Sequence, residues 1–128
     1  MPSTERSAVL VGPRRIEMQE FPVPEAGKDD GVLEIEVAGV CGSDVFHYNS
    51  DNAPVILGHE IVGRISDIGL DAQEAWGVAA GDRVVVETTF GCGKCERCRL
   101  GRYRVCTVSR GYGGALKADQ PPYLWGGY

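Results

Sequence analysis

Cys92, Cys95, Cys98 and Cys106 fall within fifteen residues in a C-x2-C-x2-C-x7-C cadence, and no other feature of the chain restricts its fold as much. Four thiolates that close together complete a tetrahedral zinc ion and leave no position open, which marks a structural rather than a catalytic site. Two disulfides would use the same cysteines. Two-residue loops are poor disulfide spans, however, and Met1 to Arg15 lacks the uninterrupted apolar stretch of a secretory leader. A ferredoxin-type iron–sulfur run is the remaining alternative; such runs usually place Pro after the last cysteine, and Thr107 stands here instead. Charge adds to the case for zinc. A four-thiolate zinc centre is net negative, and the lobe from Thr89 to Arg110 sets Lys94, Arg97, Arg99, Arg102, Arg104 and Arg110 against Glu96 alone. That surplus can solvate the anionic centre.

At 128 residues the chain suits one folding unit spanning 1–128, with 89–110 as its metal lobe. Net charge is −5, and outside the lobe seven basic residues face seventeen acidic ones. Nucleic acid is therefore disfavoured as a ligand, because phosphate affinity is largely cation-driven. The same basic lobe defines the alternative function: a zinc-stabilised interaction module contacting a partner protein or nucleic acid. No apolar run approaches the roughly twenty residues of a membrane span. Thiolates need a reducing setting, so the expected location is cytoplasmic.

Eighteen glycines and seven prolines punctuate short alternating segments, a pattern that predicts a mainly β body with many tight turns. Ile16 and Met18 alternate with Glu17 and Gln19, and Leu33, Ile35 and Val37 with Glu34 and Glu36, each predicting a half-buried strand. Further strands are expected at Ala8–Val11, His59–Ile68 and Arg83–Glu87. Helix has few openings: Asp44–Tyr48 with Ser43 as N-cap, and a turn at Glu96–Leu100.

Cys41 lies apart from the lobe in Val40-Cys41-Gly42-Ser43-Asp44, and His59 follows in Gly58-His59-Glu60. A lone cysteine is ordinarily a small buried hydrophobe. A thiolate and an imidazole at strand ends can instead share an ion across a cleft and leave coordination positions open, the arrangement of a catalytic zinc.

These segments, with Leu57 before Gly58, Gly63, Gly81-Asp82-Arg83-Val84, the four-cysteine lobe and Trp125-Gly126-Gly127-Tyr128, resemble the N-terminal half of a zinc-containing medium-chain alcohol or polyol dehydrogenase. The resemblance runs from about Ala8 to Tyr128. It implies a GroES-like, partly open β-barrel with short helices and a zinc-binding lobe. It also implies that Cys41 and His59 hold the catalytic zinc, with Glu60 beside the ion or an occasional ligand. Ser43 would relay the proton of an alcohol whose oxygen the zinc polarises, Asp44 would orient His59 through its distal N–H, and hydride would pass to NAD(P). Cys92, Cys95, Cys98 and Cys106 would hold the structural zinc.

Two positions depart from the family pattern. Where many members carry a histidine five residues after the first ligand, this chain has Phe46, with His47 next; and a further catalytic ligand comes in the family from beyond Tyr128. No GxGxxG follows a strand, since Gly111-Tyr112-Gly113-Gly114 has the wrong spacing. The expectation is a domain without its nucleotide-binding half, inactive alone, with zinc tight in the lobe and weak at Cys41/His59. Tyr128 falls within what reads as a strand, and unpaired strand edges predict self-association.

Overall fold

A computed structural model describes residues 3–128. It is mainly β, and its strands form three small sheets that do not close on one another. In the first, β1 (Thr4–Gly12) lies between β2 (Arg15–Pro22) and the short β4 (Val55–Ile56). In the second, β5 (Glu60–Ile68) lies between β3 (Gly31–Gly39) and β6 (Arg83–Val85). The third pairs β7 (Thr89–Phe90) with β8 (Arg110–Gly111) at the base of the cysteine lobe. All the strand pairings are antiparallel. Helices are short: α1 (Gly42–Tyr48), α2 (Leu70–Trp76) and α3 (Glu96–Arg99), plus a 3-10 turn at Tyr103–Val105. Among the described residues no helix is long and apolar enough to cross a membrane.

The core is centred on β1. Neighbouring residues of a strand point to opposite faces, and both faces of β1 are covered at its middle, so Val9 and Leu10 are each fully buried. Register carries this across the sheet. Val9 pairs with Ile56 and joins Phe21 and Ala118 on one side, while Leu10 pairs with Val55 and joins Leu57 on the other, with Tyr48 and Tyr128 packed against it. A third cluster of Ile65, Ile68 and Ala72 seals α2 against β5.

Several sequence expectations are corrected here. The alternation on β2 and β3 does not mark a buried face: Ile16, Met18, Ile35 and Val37 are 46%, 54%, 40% and 55% exposed, because the open sheets leave those faces without a covering layer. β1 is longer than Ala8–Val11, β5 opens at Glu60 rather than His59, and β6 ends at Val85. Trp125–Tyr128 is not a strand; it is an irregular segment hydrogen-bonded to Leu57, Gly58 and Ala8. α2 is additional. Its sequence buries one residue, Ala72, and so shows no helical period, but Gly77 at φ +67° supplies the left-handed stop of a helix C-terminus.

Gly63 sits on β5 opposite Ile35, where a Cβ would fall inside hard contact with the Glu34 carbonyl. Gly63→Ala is expected to destabilise the domain by about 1–3 kcal/mol through this overpacking, read by urea unfolding. Gly12→Ala, where nothing lies within 4 Å, is the matched control.

Candidate metal centres

The four lobe sulfurs all lie within 4.8 Å of one another, and Cys92 and Cys98 are 4.0 Å apart. A tetrahedral ion with zinc–sulfur bonds of about 2.3 Å needs sulfurs roughly 3.8 Å apart, so the cage fits it. Local backbone builds the cage. Cys95 caps α3 and its sulfur accepts the Cys98 N–H at 3.5 Å, while Cys95 N–H points at Cys92 Sγ at 3.4 Å. Gly91 permits the closure, since a Cβ there would stand 2.6 Å from Cys98 Sγ.

The backbone N–H groups of Lys94 and Cys95 hold Cys92 down to about 6. Those of Cys92 and Val108 lower Cys106, whereas desolvation pushes Cys98 up to about 11. Four thiols this close cannot all ionise without a cation among them, and a coordinated divalent ion deprotonates its thiols outright. Tyr103 and Arg104 fasten the lobe to the body through Glu87, at 3.1 and 3.0 Å.

The second cluster joins Cys41, His59 and Glu60, whose ligand atoms also lie within 4.8 Å of one another. Cys41, not Ser43, occupies the N-cap of α1, with extended backbone at φ −91° and ψ 154°. Asp44 is the reason: its carboxylate reaches back to accept the Cys41 N–H at 2.8 Å, as a third helical residue does in a capping box. Ser43 is thereby left free, and its hydroxyl is 3.4 Å from His59 Nε2.

Asp44 is only 4% exposed. Its Oδ1 has no hydrogen-bond partner among the described residues, yet His59 Nδ1 lies 3.3 Å away. The imidazole tautomer with its proton on Nδ1 turns that proton toward the unpaired oxygen and leaves the Nε2 lone pair toward Ser43, the form a metal ligand requires. On this observation the donor set fits a zinc ion.

Ser43, His47, Asn52, His59 and Thr88 line an open cleft of about 390 Å3, with Tyr112 on its wall. His47 thus lies on the cleft, whereas Phe46 is 73% exposed. Sequence reasoning missed Tyr128. Its hydroxyl is 2.9 Å from Asp44 Oδ2 and 3.1 Å from the Gly39 carbonyl. Burial, with the Asp44 hydrogen bond, pushes its pKa up to about 12, so it stays a donor at neutral pH. Gly58, at φ +89°, has no Cβ, and the Tyr128 ring fills that space. Eighty-four residues separate Tyr128 from Asp44; the only hint in the sequence is the glycine at each contact point.

Open β-sheets carrying a four-cysteine lobe beside a Cys–His–Glu cluster define a GroES-like domain of the zinc-type alcohol dehydrogenases. Residues 27–127 match the alcohol dehydrogenase GroES-like domain family, and the chain belongs to it. The chain is 42% identical to a Mycobacterium tuberculosis protein named probable alcohol dehydrogenase, over 96% of this chain and 35% of that protein. It is 34% identical to the sorbitol dehydrogenase of Bacillus subtilis, over 83% of this chain and 31% of that one. Among solved structures, a Sinorhizobium meliloti protein assigned as a zinc-binding dehydrogenase and bound to NADP superposes with a TM-score of 0.76 at 28% identity, covering 90% of this chain and 34% of that one. The chain thus spans about a third of the length of the relatives it matches.

Proposed function

We propose that this chain is the catalytic-metal domain of an NAD(P)-dependent alcohol or polyol dehydrogenase, with Cys41, His59 and Glu60 holding a catalytic zinc and Cys92, Cys95, Cys98 and Cys106 a structural one. The observation that carries this reading is the contrast between the two clusters: a closed set of four sulfurs, and an open three-ligand set beside a cleft and a free hydroxyl. When bound at the open set, zinc would act as a Lewis acid toward a substrate oxygen. The chain's own residues do the rest. Ser43 relays the hydroxyl proton of an alcohol in the cleft, taking it on Oγ as its own proton passes to solvent through the open cleft, and Asp44 keeps the His59 ring in one tautomer. The nicotinamide would be held by a nucleotide-binding domain outside residues 1–128; the NADP-bound Sinorhizobium relative, about three times as long, supports this. We read the domain as inactive without it.

Free cysteines accord with a reducing, cytoplasmic setting. Exposed Ile35, Val37 and Val85 on one open sheet support self-association, and light scattering that shows a clean monomer at high concentration would count against it. The basic lobe favours no second reading, because Arg97 is engaged by the Val105 carbonyl and Arg104 by Glu87.

Cobalt replacement tests the assignment without needing the nicotinamide. At saturating cobalt two ions per chain are expected, the one at the open set bound weakly and lost first to a chelator, and its visible spectrum should shift saturably with added alcohol or polyol. A single ion even at saturating cobalt, or a second whose spectrum ignores every alcohol tried, would sink the proposal.

A further inference from the structure

Asp44 Oδ2 receives two donors, the Cys41 N–H at 2.8 Å and the Tyr128 hydroxyl at 2.9 Å. Among the described residues its other oxygen receives none except what His59 Nδ1 can offer from 3.3 Å. The terminal torsion of a carboxylate is broad and nearly two-fold, so the donors on one oxygen decide where the other points. Tyr128 is itself firmly placed. Its N–H donates to the Leu57 carbonyl at 3.2 Å, its carbonyl accepts from Ala8 N–H at 3.1 Å, and Gly127 N–H is shared by the Leu57 and Gly58 carbonyls at 2.9 Å. The ring lies on Gly58, immediately before His59 in the chain.

We propose that Tyr128 is a positioning residue for the Cys41–His59–Glu60 centre: its hydroxyl pins Asp44 Oδ2, so that Oδ1 faces His59 Nδ1 and the imidazole presents Nε2 for ligation. This rests on the reading of those three residues as a metal centre. The Trp125–Tyr128 segment is then more than a covering strap. It ties Asp44 on α1 to the chain just before β5: the Tyr128 hydroxyl, with its single proton, lies within hydrogen-bond distance of Asp44 Oδ2 and of the Gly39 carbonyl, and Asp44 Oδ1 faces His59 Nδ1 at 3.3 Å. Groups that hold a metal-bound histidine from behind change metal affinity by about 10–100-fold when lost.

Tyr128→Phe keeps the ring on Gly58 and removes only the hydroxyl. In the full chain, cobalt affinity at the open centre should fall about tenfold, while the four-cysteine site titrates unchanged. Nitrogen NMR of the metal-free protein should show His59 losing its preference for the Nδ1–H tautomer, and Asp44→Asn should make the added Tyr128→Phe nearly silent. A purely structural tyrosine would lower thermal stability and leave both the cobalt affinity and the His59 tautomer as in the wild type; that result overturns the assignment. If wild-type protein takes up no second cobalt ion, the metal-centre reading fails, and the His59 tautomer in Tyr128→Phe still decides the role of Tyr128. Should the variant not fold, the wild-type chain labelled at tyrosine Cζ supplies the answer: filling the open centre is expected to move the Tyr128 signal, and an unmoved signal overturns the proposal.

Discussion

Cys98→Ser is expected to abolish tight zinc binding in the lobe and to convert the segment from Thr89 to Arg110 into a protease-sensitive loop while the rest of the domain stays folded. The lobe has almost no core of its own: Cys106 is its one buried apolar residue, and Leu100, Val105 and Val108 are 64%, 56% and 58% exposed. β7 and β8 contribute two residues each, and α3 only four. Elements this short are not stable by propensity or ladder hydrogen bonds, so the metal supplies what burial does not. Structural zinc in comparably small units contributes on the order of 10–16 kcal/mol of apparent binding energy, and that energy is folding energy. Cys98 is the most telling ligand to remove, because its sulfur lies 4.0 Å from Cys92 Sγ and close enough to Gly91 that a Cβ there would stand 2.6 Å away. Elemental analysis should show the loss of one ion, and trypsin should cut after Arg97, Arg99 or Arg102. The core around Val9, Leu10, Val55 and Ile56 makes no use of the lobe, so the overall β signal should persist. A variant that keeps its zinc and resists trypsin would show that packing holds the lobe.

The sequence disclosed most of this domain where chemistry forces spacing. Cysteines two residues apart converge on one point because helical and turn backbone put N–H groups against the preceding sulfur, and the lobe folds in that way. The mainly β body and its short helices were legible in the glycine punctuation and the brief alternating runs. Burial was not. Alternation on β2 and β3 tells which residues share a face but not whether a layer covers that face, and here Ile16, Met18 and Val37 stand in the open. Consecutive Val9 and Leu10, with no alternation, mark the true centre. In the second cluster, Cys41, His59 and Glu60 could be grouped from their motifs, and they do lie together. Ser43 could not be placed correctly by cap preference, because a serine hydroxyl and the Cys41–Asp44 pair compete for the same helix start, and the carboxylate with its direct N–H bond prevails. Tyr128 was out of reach, since no periodicity links a residue to a partner eighty-four positions away.

His59→Ala is expected to have two separable effects, and their separation tests the coupling between metal centre and fold. The first is the loss of the ion at the open centre with the four-cysteine zinc retained, seen as one ion per chain lost in a cobalt titration. Removing the imidazole leaves Cys41 and the exposed Glu60, too few ligands to compete with water for a zinc ion that prefers four. The second effect is on stability in the metal-free state. Asp44 Oδ1, without another partner among the described residues, loses the ring nitrogen near it and stays buried. An unsatisfied buried polar group costs about 1–3 kcal/mol, so the urea midpoint should fall by that equivalent. Asp44→Asn in the same background should recover part of this loss, because the amide is neutral and nearly the same shape, yet it should restore no metal binding. Non-additivity of this kind is what a double-mutant cycle detects between groups in contact. If His59→Ala lowered stability and Asp44→Asn added a full, independent penalty, the two side chains would not be coupled. The 3.3 Å approach would then be packing without interaction, and the orientation of His59 would have to come from the Thr88 hydroxyl on its backbone carbonyl instead.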